Sequence, residues 1–257
     1  MTSLINNKTD YQLPDNIAKS FAQGIVMGNK KYAQERLEKA KKMKVSNGYA
    51  WARPNIIDDA ISNNLEADDL NEMVKDKIAK AGYFWEYLQF FTPTRKSNEK
   101  ALIIVKPGKY RPSKYGSGID KKALSQNSIK NLMEVNKQLF NENSRDFTKQ
   151  LCLFNIMPNE LDEINQETNQ NGYSRFYILA YTLNESSEVS GLKLMMPNPY
   201  DASLVEIQDL SGFIEEFIDS KLTDEQIKAI SNDKNLKIAE EMSFYVEDDE
   251  DEDVNDN

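Results

Sequence analysis

Apolar positions recur at three-to-four spacing from the start of the chain: Leu13, Ile17, Phe21, Ile25 and Val26 predict a short amphipathic helix over 14–28. Residues Lys30 to Lys44 are dense in Ala, Glu, Lys and Arg, with Tyr32, Leu37 and Met43 as their few apolar positions. They predict a surface helix or helical arm, stopped by Asn47-Gly48. Arg53-Pro54-Asn55 opens another helix with Pro in its first turn, where the missing N–H costs nothing. Ile56, Ile57, Ala60, Ile61 and Leu65 give that helix a buried face, and Asp58 and Asp59 near its start suit the helix dipole. A fourth helix is predicted over about 68–81, closed by Gly82 at the usual glycine position.

The period then changes. Phe84 to Phe91 is dense in aromatics and reads as a strand, and Ala101 to Val105 reads as a largely buried one. The short polar stretch between them makes a hairpin. Helical spacing returns over 120–142 through Leu124, Ile129, Leu132, Met133, Val135 and Leu139. Further strands are predicted at 151–156, 176–183, 189–196 and 204–207, the middle two joined by a hairpin at Asn184 to Ser187. Short helices follow at 210–220 and 223–230, the second with a Thr223/Gln226 capping box. This order predicts an α+β fold. Its antiparallel sheet has about five or six strands, with helices packed on one side. Residues 1–48 form an N-terminal helical arm, 49–246 the α+β domain and 247–257 an acidic tail.

Charge sharpens the picture because it is segregated. The net charge of the 257-residue chain is −10, yet residues 93–149 hold 13 basic against 5 acidic side chains and residues 150–246 hold 6 against 17. The last eleven residues, Glu247 to Asn257, hold eight acids and no base. With one apolar residue and dense like charge, that tail cannot recover the roughly 1–2 kcal/mol of backbone entropy that ordering each residue costs. It is expected to be disordered. It serves as a solvated, solubilising end, as a mimic of nucleic acid, or as a pseudo-ligand that covers the chain's own basic segment.

The chain has no histidine. That removes Ser-His-Asp and Cys-His catalysis, His-coordinated zinc and His-ligated haem together. The single cysteine, Cys152, excludes an internal disulfide framework and a cysteine-cluster zinc site, and no disulfide-linked partner is expected. Lying in the apolar run Leu151-Cys152-Leu153-Phe154, it reads as a core thiol. No apolar run approaches the roughly 20 residues needed to span a bilayer, so no membrane association is expected and the location is read as cytoplasmic. Gly116-Ser117-Gly118 lacks the Gly-Lys-Ser/Thr of a phosphate loop and reads as a flexible turn.

The segment Arg95 to Lys122 carries nine cations against Glu99 and Asp120, interleaved with Tyr110 and Tyr115. Cations that neutralise phosphates beside rings that stack on bases suit flexible or single-stranded nucleic acid. The candidate nucleic-acid-binding residues are therefore Arg95, Lys96, Lys106, Lys109, Tyr110, Arg111, Lys114 and Tyr115. A solvated loop whose lysines pair with the acidic half of the chain would explain the same charges. No catalytic residue, metal ligand or cofactor is assigned. The enzyme alternative is a histidine-free, metal-dependent nuclease, which wants a carboxylate followed by a strand bearing Asp/Glu-x-Lys. The strand at 101–106 ends in Lys106, but Ile104 stands where the carboxylate is required. Asp58, Asp59, Glu86 and Glu99 are the acids that could substitute, although a helix-start role explains Asp58 and Asp59 more simply.

Three stretches, Ala52-Arg53-Pro54-Asn55-Ile56-Ile57, the Trp85–Lys106 hairpin and Phe176–Phe213 with its exit Val205-Glu206-Ile207-Gln208-Asp209-Leu210-Ser211, resemble an uncharacterised family of small bacterial and phage proteins. That family is associated with mobile elements and with defence or toxin–antitoxin loci. The resemblance covers under half the chain and implies an intracellular defence or counter-defence setting; it carries over no catalytic residue. The expectation is a non-enzymatic bacterial or phage protein that binds a nucleic acid or a protein handling one.

Overall fold

The computed structural model describes residues 8–81, 85–95, 100–108, 127–140, 172–231 and 233. Helix α1 (Asp15–Lys42) is one uninterrupted rod of 28 residues, where the apolar spacing predicts two successive helices. The helix continues because its buried face does, through Tyr32, Ala33 and Arg36. Gly24 and Gly28 end nothing; they are where α2 (Arg53–Ala67) crosses α1. A Cβ on Gly24 would lie 2.6 Å from the Ile61 Cα, and one on Gly28 would lie 2.8 Å from the Ile57 Cα. The inner face of α1, Ile17, Phe21, Ile25, Tyr32 and Ala33, is fully or almost fully buried, so the N-terminal helical segment is itself part of the core.

Residues 68–81 do not form the predicted helix. A turn over 68–74, with Asp69 at φ 57°, leads into strand β1 (Lys75–Ala81). Lysines favour helix only weakly. What decides is β2 (Trp85–Pro93), whose backbone needs a strand neighbour and finds it in β1 along the whole register from Lys75–Phe91 to Ala81–Trp85. The alternation of Lys75, Lys77 and Ala79 with Asp76, Ile78 and Lys80 fits an edge strand kept open to solvent by charge.

The remaining strands are β3 (Lys100–Pro107), β4 (Tyr173–Leu183), β5 (Val189–Pro197) and β6 (Leu204–Asp209). They make a six-stranded sheet in sequence order. The fold is α+β, as the pattern predicts, and both hairpins are present. One pair departs from the expected antiparallel arrangement: β3 and β4 run parallel, Leu102 beside Phe176 and Ile104 beside Ile178. Parallel neighbours need a long crossover, and residues 108–172 lie between them. Helix α3 (Asn127–Met133) belongs to that crossover.

Both faces of the sheet are covered, which follows from a β3 that is buried at six consecutive positions. Ala101, Ile103 and Val105 join Tyr177, Leu179 and Leu194 under α1 and α2. Leu102 and Ile104 join Phe176, Ile178 and Met195 under Ile129 and Met133 of α3. Helices thus lie on two sides where one was expected. Beyond α3, the buried Asn136 accepts the N–H of Phe176 at 2.9 Å and donates to the carbonyls of Phe176 and Pro197 at 3.0 Å, pinning the crossover to β4 and β5. A short helix α4 (Ser211–Ile214) follows β6, and α5 (Asp224–Ile230) has the predicted capping box: Thr223 N–H to Gln226 Oε1 at 2.9 Å and Gln226 N–H to Thr223 Oγ1 at 3.3 Å.

Candidate functional site: a buried acid–amine pair and a basic helix end

Strands β2 and β3 pair from Phe90–Ile103 to Pro93–Lys100 and no further among the described pairs. Continued in the same register, Tyr87 would stand opposite Lys106. At this parting of the strands two charged side chains are buried: Asp58, from the second turn of α2, is 5% exposed, and Lys106, at the end of β3, is 6% exposed. Asp58 Oδ2 accepts the N–H of Leu88 at 2.9 Å. Lys106 Nζ lies 5.4 Å from the centre of the Tyr87 ring, a cation–π contact that offsets part of its desolvation. Tyr87 in turn accepts from Gln89 Nε2 at 3.1 Å.

Burial pushes the Asp58 carboxyl well above the ordinary carboxylate range, against the Leu88 N–H and the Lys106 charge, which both favour the anion. Burial equally pushes the Lys106 ammonium down, with Asp58 opposing. Burial thereby favours the neutral form of each group, while their mutual attraction favours the charged forms. Asp58, though not Lys106, borders an open groove of about 200 Å³, lined also by Asn55, Asp59, Ile78, Glu86, Tyr87 and Leu88. Its rim acids are partnered: Asp59 with Lys31 at 3.0 Å and Glu86 with Lys80 at 3.9 Å. Among the described residues, no group of three or more Asp, Glu or Cys side chains is placed to hold a metal ion.

Of the sequence-predicted site residues, two are described. Lys106 is the buried amine just given. Arg95 braces the start of α1: its backbone N–H donates to the Gln12 carbonyl at 2.9 Å, Nε to the Leu13 carbonyl at 3.2 Å and Nη2 to Asp15 Oδ1 at 2.5 Å. Lys106 is withdrawn from solvent, whereas Arg95 stays exposed in a surface ion pair with Asp15. Lys96, Lys109, Tyr110, Arg111, Lys114 and Tyr115 lie outside the described residues, as do Cys152, the strand predicted at 151–156 and the acidic tail.

A second charged region escapes the sequence reading. Residues 30–44 hold seven cations against Glu35 and Glu38. Arg36 is buried, its Nε and Nη2 gripping Asp233 at 2.9 and 2.8 Å and its Nη1 donating to the Ser46 carbonyl at 3.1 Å. Tyr32 Oη donates to the same Asp233 at 2.5 Å. Beyond that clamp, the end of α1 and the residues just after it project Lys41, Lys42 and Lys44 into solvent, with Lys39 resting on the Tyr49 ring at 4.8 Å. Met43 and Val45 stand among them, 44% and 79% exposed. The exposed ion pairs there, Lys41–Glu225 at 3.0 Å and Lys42–Glu38 at 4.0 Å, hold these lysines only weakly.

Comparison with protein-family models, with curated proteins and with solved structures finds no match to this chain. No helix among the described residues is long and apolar enough to cross a membrane.

Proposed function

We propose that this protein acts by binding a nucleic acid, or a protein that handles one. Following the family resemblance, the setting is bacterial or phage defence or counter-defence. The observation that carries the reading is the solvent-facing end of α1, where Lys39, Lys41, Lys42 and Lys44 fall within six residues beside Tyr49. Lysines of this density release counterions from a phosphate backbone, and an adjacent ring offers a stacking surface for an unpaired base. The basic segment 109–122, outside the described residues, is the other candidate contact.

A second reading, phosphodiester cleavage, is favoured by Asp58 and Lys106. A buried acid and a buried amine sit within electrostatic reach where two strands part, and the acid borders a groove; an acid with an amine is the pairing a histidine-free nuclease would use in spite of Ile104. One experiment separates the two. Purified protein is incubated with labelled single- and double-stranded DNA and RNA in Mg²⁺, Mn²⁺ or chelator, and retention and cleavage are scored separately. Retention without cleavage is expected. Metal-dependent cleavage lost in Lys106→Met would replace the binding reading with the enzymatic one, and neither retention nor cleavage would leave a protein partner.

A further inference from the structure

Asp233, the last residue the structure describes, lies beside the basic end of α1, and the acidic stretch 247–253 follows it in the sequence. The Asp233 carboxylate is locked to Arg36 at 2.8 and 2.9 Å. From Arg36 the helix rises about 1.5 Å per residue, so Met43 stands roughly 10 Å further along. From Asp233 eleven residues lead to Phe244, an extended reach of about 36 Å. Reach is therefore ample. The two sequences also complement each other in order as well as in sign. The helix end offers exposed apolar Met43 and Val45 among Lys39, Lys41, Lys42 and Lys44. The chain end offers Phe244-Tyr245-Val246 followed directly by Glu247-Asp248-Asp249-Glu250-Asp251-Glu252-Asp253.

We infer that residues 244–253 dock in cis on the solvent-facing end of α1, with the aromatic segment against Met43 and Val45 and the acids against the lysines. The lysine ion pairs with Glu38 and Glu225 are exposed and give way readily. The tether supplies an effective concentration of order millimolar, which lets several weak pairs act together. The surface offered to a polyanion is then one the chain itself occupies, and a nucleic acid must displace the tail to reach it; this consequence, unlike the docking, rests on the proposed function.

The test uses the full-length chain. Zero-length carbodiimide joins lysines to carboxylates that touch, and mass spectrometry of a mixture of light and heavy-isotope protein separates links within a chain from links between chains. Links from Lys39, Lys41, Lys42 or Lys44 to residues 247–253, within one chain and lost near 1 M salt where the Debye length is about 3 Å, are expected. Replacing Met43 and Val45 by Ser should also reduce them, with the melting transition unchanged. Tail links made chiefly to Lys109–Lys122, or only between chains, would overturn the inference. A second measurement removes residues 247–257 and follows a short labelled single-stranded oligonucleotide. Affinity should rise roughly threefold or more at low salt, the gain vanishing as salt increases. Equal affinity with and without the tail would overturn the competition. No oligonucleotide binding in either form, with the cross-links intact, would overturn the nucleic-acid reading and leave the docking standing.

Discussion

Asp58 on α2 and Leu88 on β2, thirty residues apart, are joined by one hydrogen bond of 2.9 Å from the Leu88 N–H to the Asp58 carboxylate. It fastens the helix layer to the sheet at the point where β2 and β3 part, and it places a buried acid within electrostatic reach of Lys106. The bond and the charge can be separated by mutation. Asp58→Asn keeps an acceptor for the Leu88 N–H, whereas Asp58→Ala leaves a buried donor without one. An unsatisfied buried N–H costs about 1–3 kcal/mol, so Asp58→Ala should lower the unfolding free energy by that much relative to Asp58→Asn. Denaturant titration of the two variants measures the difference; equal midpoints would mean that the bond contributes nothing.

The pH dependence of the same pair has a definite sign. The Asp58 carboxyl is raised above its ordinary 3.8 in the folded protein, so between 3.8 and that raised value the folded state holds a proton the unfolded state has released. Stability contributed by Asp58 is complete below 3.8 and is lost as pH rises through the folded value. Lys106 is lowered from 10.5, so its contribution is complete above 10.5 and is lost as pH falls through its folded value. The pair therefore costs most stability near neutral pH. Unfolding free energies of the wild type, less those of the Asp58→Asn/Lys106→Met double variant, should trace a trough between the acid and alkaline ends. A flat difference would place the pair in water.

Glycine carries a prediction whose direction opposes helix propensity. In a solvent-facing helix interior Gly→Ala stabilises by about 1 kcal/mol. Gly24→Ala and Gly28→Ala should instead destabilise, because the added methyl meets the backbone of Ile61 or Ile57 at 2.6 or 2.8 Å and only separation of α1 from α2 relieves it. Overpacking of this kind costs about 1–3 kcal/mol. Gly48→Ala, with open space around it, is the control in thermal melts.

These glycines also mark what the sequence could and could not convey. Periodicity located β2 to β6 and α2 because their apolar positions answer to one partner each, and the buried Leu102, Ile104, Phe176, Ile178 and Leu194 were legible for the same reason. Gly24 and Gly28 gave no sign of their role, because nothing local says that Ile61 and Ile57 will lie against them. Lys75–Ala81 read as helix because its pairing with β2 is tertiary. The parallel β3–β4 contact was hidden by a connection of more than sixty residues. At the candidate site, Asp58 looked like an ordinary helix-start acid and Lys106 like the polar end of a strand. Their burial depends on β2 and β3 separating, which no spacing encodes. Arg95, picked for its charge, proved to be a brace because Asp15 and the Leu13 carbonyl are near it only in the fold.

The Arg36–Asp233 pair is buried on both sides, each side chain 4% exposed, and Asp233 also receives the Tyr32 hydroxyl. Removing one partner of such a pair strands the other charge, at about 3–5 kcal/mol, whereas replacing both by apolar groups of similar volume costs far less. Asp233→Asn should therefore destabilise more than the Arg36→Met/Asp233→Leu double variant. Calorimetric melting of both checks this, and a double variant as unstable as the single one would show that the pair stabilises through its charges.

Two basic surfaces compete for the role of nucleic-acid contact, and salt dependence distinguishes them. Each phosphate neutralised releases counterions, so losing one contact flattens the slope of log affinity against log salt by about 0.7 for a single strand. Replacing Lys39, Lys41, Lys42 and Lys44 by Gln removes four candidate contacts while keeping helix-compatible side chains. If most of them face the strand, the slope should fall by about two. The loss should be similar for every base composition, since phosphate contacts carry no sequence information. Replacing Lys109, Arg111 and Lys114 by Gln tests the other surface in the same titration. Because Lys106 is buried, that segment lacks one of the cations its composition promises, and with three side chains replaced against four its substitution should flatten the slope by less than the α1 set does. A larger effect from the 109–114 set would move the interface to that segment, and no effect from either would direct attention to a protein partner.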